Sequence, residues 1–262
     1  VSYIKISYEK QGELAIIRLN DPDVLNAMGP TMMKELDDAI AVAAGSARAL
    51  LLTGVGRAFC SGGNMSDARG AGGYEPAADL GTELETIINP LMIRISQLPI
   101  PFISAVRGAA AGIGCSFALI ADIVLASETA FFMQAFARIG LVPDAGSSWL
   151  LSRAIGRTRA MEMMLLGERI DAAKALEWGL INRVTPDDEL DQAALNLATK
   201  LAEGPTRSLA MIREAAWAAA DQNFVKVLAN ERRLQRDAGR TRDHREGVTA
   251  FLEKRKPRFT GI

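Results

Sequence analysis

The chain has 262 residues, 49% of them hydrophobic and 23% charged, with a formal net charge of −1. This is a globular composition with length enough for a sizeable core, and it lacks the basic footprint of a nucleic-acid binder. Cys60 and Cys115 have neither metal-ligand nor disulfide-framework spacing, no leader pattern is visible, and no uncharged apolar run reaches about 18 residues. A soluble, cytoplasmic protein with no membrane or nucleic-acid partner is therefore expected. The one histidine, His244, lies in the charged stretch T-R-D-H-R-E-G, which reads as a solvated helix face. Ser–His–Asp, Cys–His and His-rich metal chemistry are thereby nearly excluded.

In chain order, residues 3–9 and 14–19 gather β-formers around Gln11-Gly12 and read as a hairpin. Asp21-Pro22-Asp23 breaks the chain, and Leu25, Asn26 and Ala27 belong to a loop. Pro30-Thr31 opens a helix with Met33, Leu36, Ile40 and Ala43 at helical spacing. Residues 49–53 read as a buried strand, followed by A-F-C-S-G-G-N-M at residues 58–65. Residues 69–76 are Gly-rich and read as a mobile loop. Leu84, Ile87, Ile88, Leu91, Ile95 and Leu98 mark one helix face. Residues 101–106 read as a strand that feeds a small-residue loop with Gly108, Gly112 and Gly114. Helix-forming residues 113–120 run on into an apolar stretch at 122–126. Short helices are expected at 148–153, 159–166 and 172–178, a strand at 180–184, and only helices from about residue 187. Strands alternating with helices, then helices alone, argue an α/β class. We divide the chain into a core at 1–190 and a helical region at 191–262.

The loop G-A-A-A-G-I-G is no dinucleotide fingerprint, because Phe117 stands where its last glycine would be, and no G-K-[ST] phosphate loop is present. Two Gly-rich loops after two buried strands can instead aim two backbone N–H groups at one oxygen that gains negative charge, an oxyanion hole built without side chains. A tight packing corner is the plain alternative. Asp144 is the notable acid, set in the otherwise apolar I-G-L-V-P-D-A-G.

With L-N-A at 25–27, A-F-C-S-G-G at 58–63, the stretch 106–146, G-R-T-R-A-M-E-M-M-L-L-G-E-R-I at 156–170, A-L-E-W-G-L-I-N-R-V at 175–184 and E-G-V-T-A-F-L-E-K-R-K-P at 246–257, the sequence resembles the crotonase, or enoyl-CoA hydratase/isomerase, superfamily over nearly its whole length. The resemblance implies a spiral of repeated ββα units with a C-terminal helical trimerisation region, assembled as a homotrimer or a hexamer made of two trimers. It implies an acyl-CoA thioester substrate, with coenzyme A carried by that substrate and no resident cofactor or metal. The oxyanion donors should be the N–H groups of Gly63 and Ile113, the latter a β-branched residue where glycine is usual, which would narrow the adjacent space. Leu25, Asn26, Ala27, Ser61, Gly62, Asn64 and Met65 should flank coenzyme A, with Phe251 and Lys254 reaching it, often on a neighbouring subunit.

Hydratases of this type use two glutamates, and here those positions hold Ser116 and Phe136. A hydroxyl and a phenyl ring do not form a general acid/base pair at neutral pH. The isomerases keep a carboxylate near Asp144, and I-G-L-V-P-D-A-G-S-S-W-L-L resembles the epoxyphenylacetyl-CoA isomerases most. Asp144 would then shuttle a proton from Cα to Cγ of a thioester enolate in a dry pocket of Met133, Phe136, Leu141 and Trp149. Asp144 also suits the N-cap of the helix that follows. Asp67, Glu75 and Ser116 read as non-catalytic. The expected function is an acyl-CoA isomerase acting on a linear or an aromatic-derived acyl group; a non-catalytic acyl-CoA-binding protein and a weak hydratase are the alternatives.

Overall fold

The computed structural model describes residues 2–64 and 79–262. Met65, Asp67, Glu75 and the Gly-rich run at 69–76 lie outside the described residues. A hairpin of β1 (Ile6–Gln11) and β2 (Leu14–Leu19), with Ile6 opposite Leu19, forms one edge of a six-stranded sheet. Parallel strands β3 (Ala49–Gly54), β4 (Phe102–Val106), β6 (Ile123–Ser127) and β9 (Arg183–Thr185) complete it. Every residue of β3 and β4 is buried, as the apolar runs L-L-L and F-I-S-A-V require of strands covered on both faces.

The two-residue period of the strands divides the core. Ile17, Leu50, Leu52, Phe102 and Val106 pack with α1 (Pro30–Ser46), α3 (Asn89–Ser96) and α4 (Ile113–Leu119). Ile16, Leu51, Ile103 and Leu125 point the other way, onto α7 (Leu190–Ala202) through Leu190, Ala194, Ala198 and Ala202. A helix continuing from α2 (Gly81–Glu83) through a π-helical turn at Leu84–Ile88 leads into α3.

A second sheet of three strands orders β5 (Ala109–Ala111), β7 (Phe131–Met133) and β8 (Ile170–Asp171). The small-residue loop expected after β4 therefore contains a strand. Three alanines have weak β-propensity alone, and partners on both sides make the strand: β7 in register, and a bridge from Cys60 to Ala110. The two short helices expected at 148–153 and 159–166 are one stretch, α5 (Ser147–Leu166), interrupted where Gly156 adopts φ 74, ψ 160. After α6 (Ala172–Glu177), the helical region expected from residue 191 begins with a helix that belongs to the core sheet. Only α8 (Thr206–Ala219), α9 (Phe224–Ala238) and α10 (Arg242–Leu252) stand outside it.

Two arginines fasten these last helices to the core. Arg213 on α8, 6% exposed, bonds Asp122 (2.5 Å), the Ile95 carbonyl (3.1 Å) and the Leu98 carbonyl. Asp122 in turn accepts the Phe102 N–H at 2.8 Å, so the pair ties α8 to the start of β4. Burial raises the Asp122 pKa, and Arg213 acts against that rise. Arg48, before β3, donates to Thr206 Oγ1 (2.8 Å) and to the carbonyls of Gly204 (2.6 Å) and Phe259 (3.2 Å). Buried Asp243 accepts the N–H groups of Thr260 (2.7 Å) and Gly261 (2.8 Å), closing the C-terminal tail.

Removing one partner of a buried ion pair strands the other. Arg213→Ala is expected to lower stability by about 3–5 kcal/mol, read as the shift of the urea midpoint. A midpoint unchanged from the parent would show that the pair does not hold α8.

Candidate active site

Segment 59–62 leaves β3 and runs beside β5. Phe59 donates its N–H to Arg107 C=O (2.7 Å), Cys60 to Ala109 C=O (2.8 Å), and Ala111 to Cys60 C=O (2.9 Å). Gly114 allows this approach, because a Cβ there would lie 2.6 Å from both Cβ and Sγ of Cys60. Gly112 turns the chain into α4 at φ 53, a conformation that favours glycine, and a Cβ on it would lie 3.9 Å from Gly62 Cα. The two Gly-rich loops therefore touch backbone to backbone.

The N–H groups around this contact divide in two. Gly112 donates to Met133 C=O at 2.8 Å, and Gly62 donates to Cys60 Sγ at 3.4 Å. Among the described residues the N–H groups of Gly63 and Ile113 have no acceptor. Ile113 begins α4, where the first-turn donors have no partner within the helix. Its side chain, 4% exposed, joins the main core, so the donor survives the departure from glycine. Burial pushes the thiols of Cys60 and Cys115 up to about 12, so both are neutral at physiological pH and act as packing groups.

The segments expected to flank coenzyme A are zipped together. Ser61 donates its N–H to Leu25 C=O (3.0 Å) and its Oγ to Val24 C=O (3.2 Å); Met28 N–H bonds Gly62 C=O and Asn64 N–H bonds Met28 C=O, each at 2.8 Å. Leu25 and Asn26 both take φ 55, and half-buried Ala27 follows them. Asn26 departs from its expected role. Its side chain is fully buried, with Oδ1 accepting the Asp21 N–H (2.8 Å) and Nδ2 donating to the carbonyls of Val55 (3.0 Å) and Ala58 (2.8 Å). It braces the loop from inside and has no free donor to offer a ligand.

Asp144 sits in a turn whose next two residues are left-handed, Ala145 at φ 48 and Gly146 at φ 77. For alanine this costs about 1 kcal/mol or more. The turn is held through the Asp144 carbonyl, which accepts Ser147 N–H (2.9 Å), Ser147 Oγ–H (2.8 Å) and a longer contact from Ser116 Oγ (3.4 Å). The Asp144 side chain does not cap α5: Gly146 is the N-cap, and it has no side-chain cap hydrogen bond. Asp144 Oδ1 is buried with no hydrogen-bond partner among the described residues. That desolvation, and secondarily the charge of Glu83, raises its pKa to about 6.

Phe136 lies over this region. Its ring atoms stand 3.8 and 3.9 Å from where a Cβ on Gly112 would be, and its carbonyl accepts Leu141 N–H at 3.0 Å. Half-buried Met133 reaches the same corner through the Gly112 bond. Phe136 and the Met133 carbonyl thus stand beside the Gly112 turn, while Leu141, 41% exposed, is tied to Phe136 by its backbone. Trp149 stacks its ring on Trp217 (5.0 Å, 9°) and carries the Arg153 guanidinium 4.1 Å from its centroid. Phe251, 81% exposed, stands on α10, and exposed Lys254 follows the end of that helix.

Sequence reasoning overlooked Ser147 and Glu83. Ser147 follows Asp144 by three residues, the spacing at which a serine can bond a turn carbonyl, so a local signal existed. Glu83 carries no such signal, being 61 positions from Asp144 in the chain. Among the described residues no group of three metal-ligating side chains converges, and no helix is long and apolar enough to cross a membrane.

The chain is similar to a protein of Rhodobacter capsulatus named "probable enoyl-CoA hydratase", 45% identical over the full length of both. It is 43% identical to the 1,2-epoxyphenylacetyl-CoA isomerase of Escherichia coli, covering 98% of each chain. The crystal structure of an enoyl-CoA hydratase subunit from Geobacillus kaustophilus superposes with a TM-score of 0.91 at 34% identity, over 99% of both chains. The enoyl-CoA hydratase/isomerase family profile matches residues 9–261. With paired glycine loops presenting free N–H groups, the crotonase fold around them and these full-length relatives, the chain belongs to the enoyl-CoA hydratase/isomerase family.

Proposed function

We propose that the chain is an acyl-CoA isomerase in which Asp144 shuttles one proton. The observation that carries this reading is the buried, unpartnered Oδ1 of Asp144, held against α4 one turn beyond Ile113, while Ser116 and Phe136 fill the places of a hydratase's two glutamates. The thioester oxygen accepts the N–H groups of Gly63 and Ile113. The Asp144 carboxylate removes a Cα proton, the electron pair moves onto that oxygen as an enolate, and the same carboxyl returns the proton at Cγ. The double bond shifts and no water is consumed. Phe136, Met133 and Leu141 line the reacting end with apolar surface, and the Phe136 ring stands where a hydrating water would need a carboxylate beside it.

A linear 3-enoyl-CoA suits this step directly; an epoxyphenylacetyl-CoA suits it once the ring C–C bond shared with its epoxide has opened to the seven-membered oxepin, whose β,γ double bond then shifts in the same way, and the E. coli relative's name favours testing the second. Coenzyme A enters with the substrate and no resident cofactor takes part. The apolar side chains exposed on α8–α10, among them Phe224, Val225, Phe251 and Leu252, support burial against further copies of the chain; the assembly we propose is a cytoplasmic homotrimer or dimer of trimers, with Phe251 and Lys254 reaching a neighbour's coenzyme A. The Rhodobacter relative's name supports hydration as the competing reading.

Asp144→Asn is expected to lower isomerisation of 3-enoyl-CoA or epoxyphenylacetyl-CoA by about 10²–10⁴-fold, with 2-enoyl-CoA hydration low in both proteins. Strong hydration that survives the substitution would establish the hydratase reading. Tight acyl-CoA binding without turnover of any of these substrates, unchanged by Asp144→Ala, would leave a binding protein.

The base must be ionised to act. With its pKa near 6, kcat/KM for isomerisation should be level above that pH and fall about tenfold per unit well below it. A profile flat down to pH 4.5 would remove Asp144 as the base.

A further inference from the structure

We propose that Ser116 and Ser147 form a positioning pair for Asp144: two buried hydroxyls that hold the backbone of its turn and so aim its carboxylate. The inference rests on the reading of Asp144 as the proton shuttle. Ser116 and Ser147 are 0% and 1% exposed, and their Oγ atoms are 2.5 Å apart. Ser147 Oγ is 2.8 Å from the Asp144 carbonyl, to which it donates. With that proton committed, Ser116 is left to donate to Ser147, and the chain Ser116→Ser147→Asp144 carbonyl is complete. It runs from α4, which begins with the Ile113 donor, to the first residue of α5.

Three features make this pair more than packing. The Asp144 carboxylate has a buried oxygen with no hydrogen bond among the described residues, so its direction follows from its backbone. That backbone continues into a left-handed alanine, which the chain does not favour unaided. And the hydroxyl pair joins the turn to the same short helix that carries an oxyanion donor, so it sets where the base lies relative to the enolate oxygen. Ser116 occupies the position of a hydratase glutamate. The geometry points to a reuse of that site, from carrying a proton to holding the residue that does.

The test is steady-state turnover of the substrate found active above, with Ser116→Ala, Ser147→Ala and Ser116→Cys, each made also in an Asp144→Asn background. A displaced base slows the chemical step while binding persists. Each alanine variant should lower kcat by about 10–100-fold with KM within about twofold of the parent, and Ser116→Cys, which keeps a weak donor, should recover part of the loss. In the Asp144→Asn background the alanine changes should cause no further loss. Parental kcat in both alanine variants, or an equal loss with and without Asp144, overturns the pair as a positioning device while leaving Asp144 in place. Full turnover by Asp144→Asn alone overturns the underlying reading and the pair with it. Circular dichroism melting of each variant separates a misfolded protein from a misaligned one, and Ser147→Ala decides the matter if Ser116→Ala does not fold.

Discussion

The site depends on how closely two backbones run past each other at Cys60 and β5. Three N–H to carbonyl bonds join residues 59–60 to residues 107–111. A side chain at Gly108 would collide with the Arg57 carbonyl, and one at Gly114 with Cys60. Buried backbone polar groups are normally paired, and among the described residues the N–H groups of Gly63 and Ile113 are left without an acceptor. Their availability follows from the way the chain ends two strands and begins a helix, and no polar side chain is needed to create it.

Beside the helix that begins with Ile113 lies one buried acid, linked to it through Ser116. Asp144 is held by its carbonyl, and one buried oxygen of its carboxyl has no hydrogen bond among the described residues. Such a carboxylate costs more to ionise than a solvated one, which makes it a better base near neutrality. The same loss of solvation explains why Phe136 suits its position. Its ring covers the Gly112 side of the loop with apolar surface, and a carboxylate there would bring water and a second charge. Glu83 already acts on Asp144 from a distance, in the same direction as burial.

The rest of the fold keeps this corner stiff. Both faces of the large sheet are covered, one by α1, α3 and α4, the other by α7. Asn26 is buried as a three-bond brace under the loop that meets segment 61–64. Trp149, on the helix that follows Asp144, is stacked against Trp217 on α8, so the outer helices grip the active-site helix as well as the sheet. Arg213 and Arg48 complete that attachment through bonds to backbone carbonyls.

Much of this was legible in the residues. Apolar runs at 49–53 and 101–106, the Pro30 helix start and the helical stripes after residue 187 are local signals, because strand and helix periods are set by backbone geometry. The Gly-rich motifs and the acid in P-D-A-G marked the site for the same reason: a loop that must approach another backbone, or turn left-handed, restricts its own residue types. The structure decided what depends on partners distant in the chain. Ala109–Ala111 became a strand because β7 and Cys60 lie beside it, and α7 joined the core because its alanine-rich face fits the sheet. Asn26 turned inward, Trp149 went to Trp217, and Asp144 was left uncapped with Ser116 and Ser147 beneath it. Side-chain direction and desolvation are set by tertiary neighbours, and no local pattern encodes them.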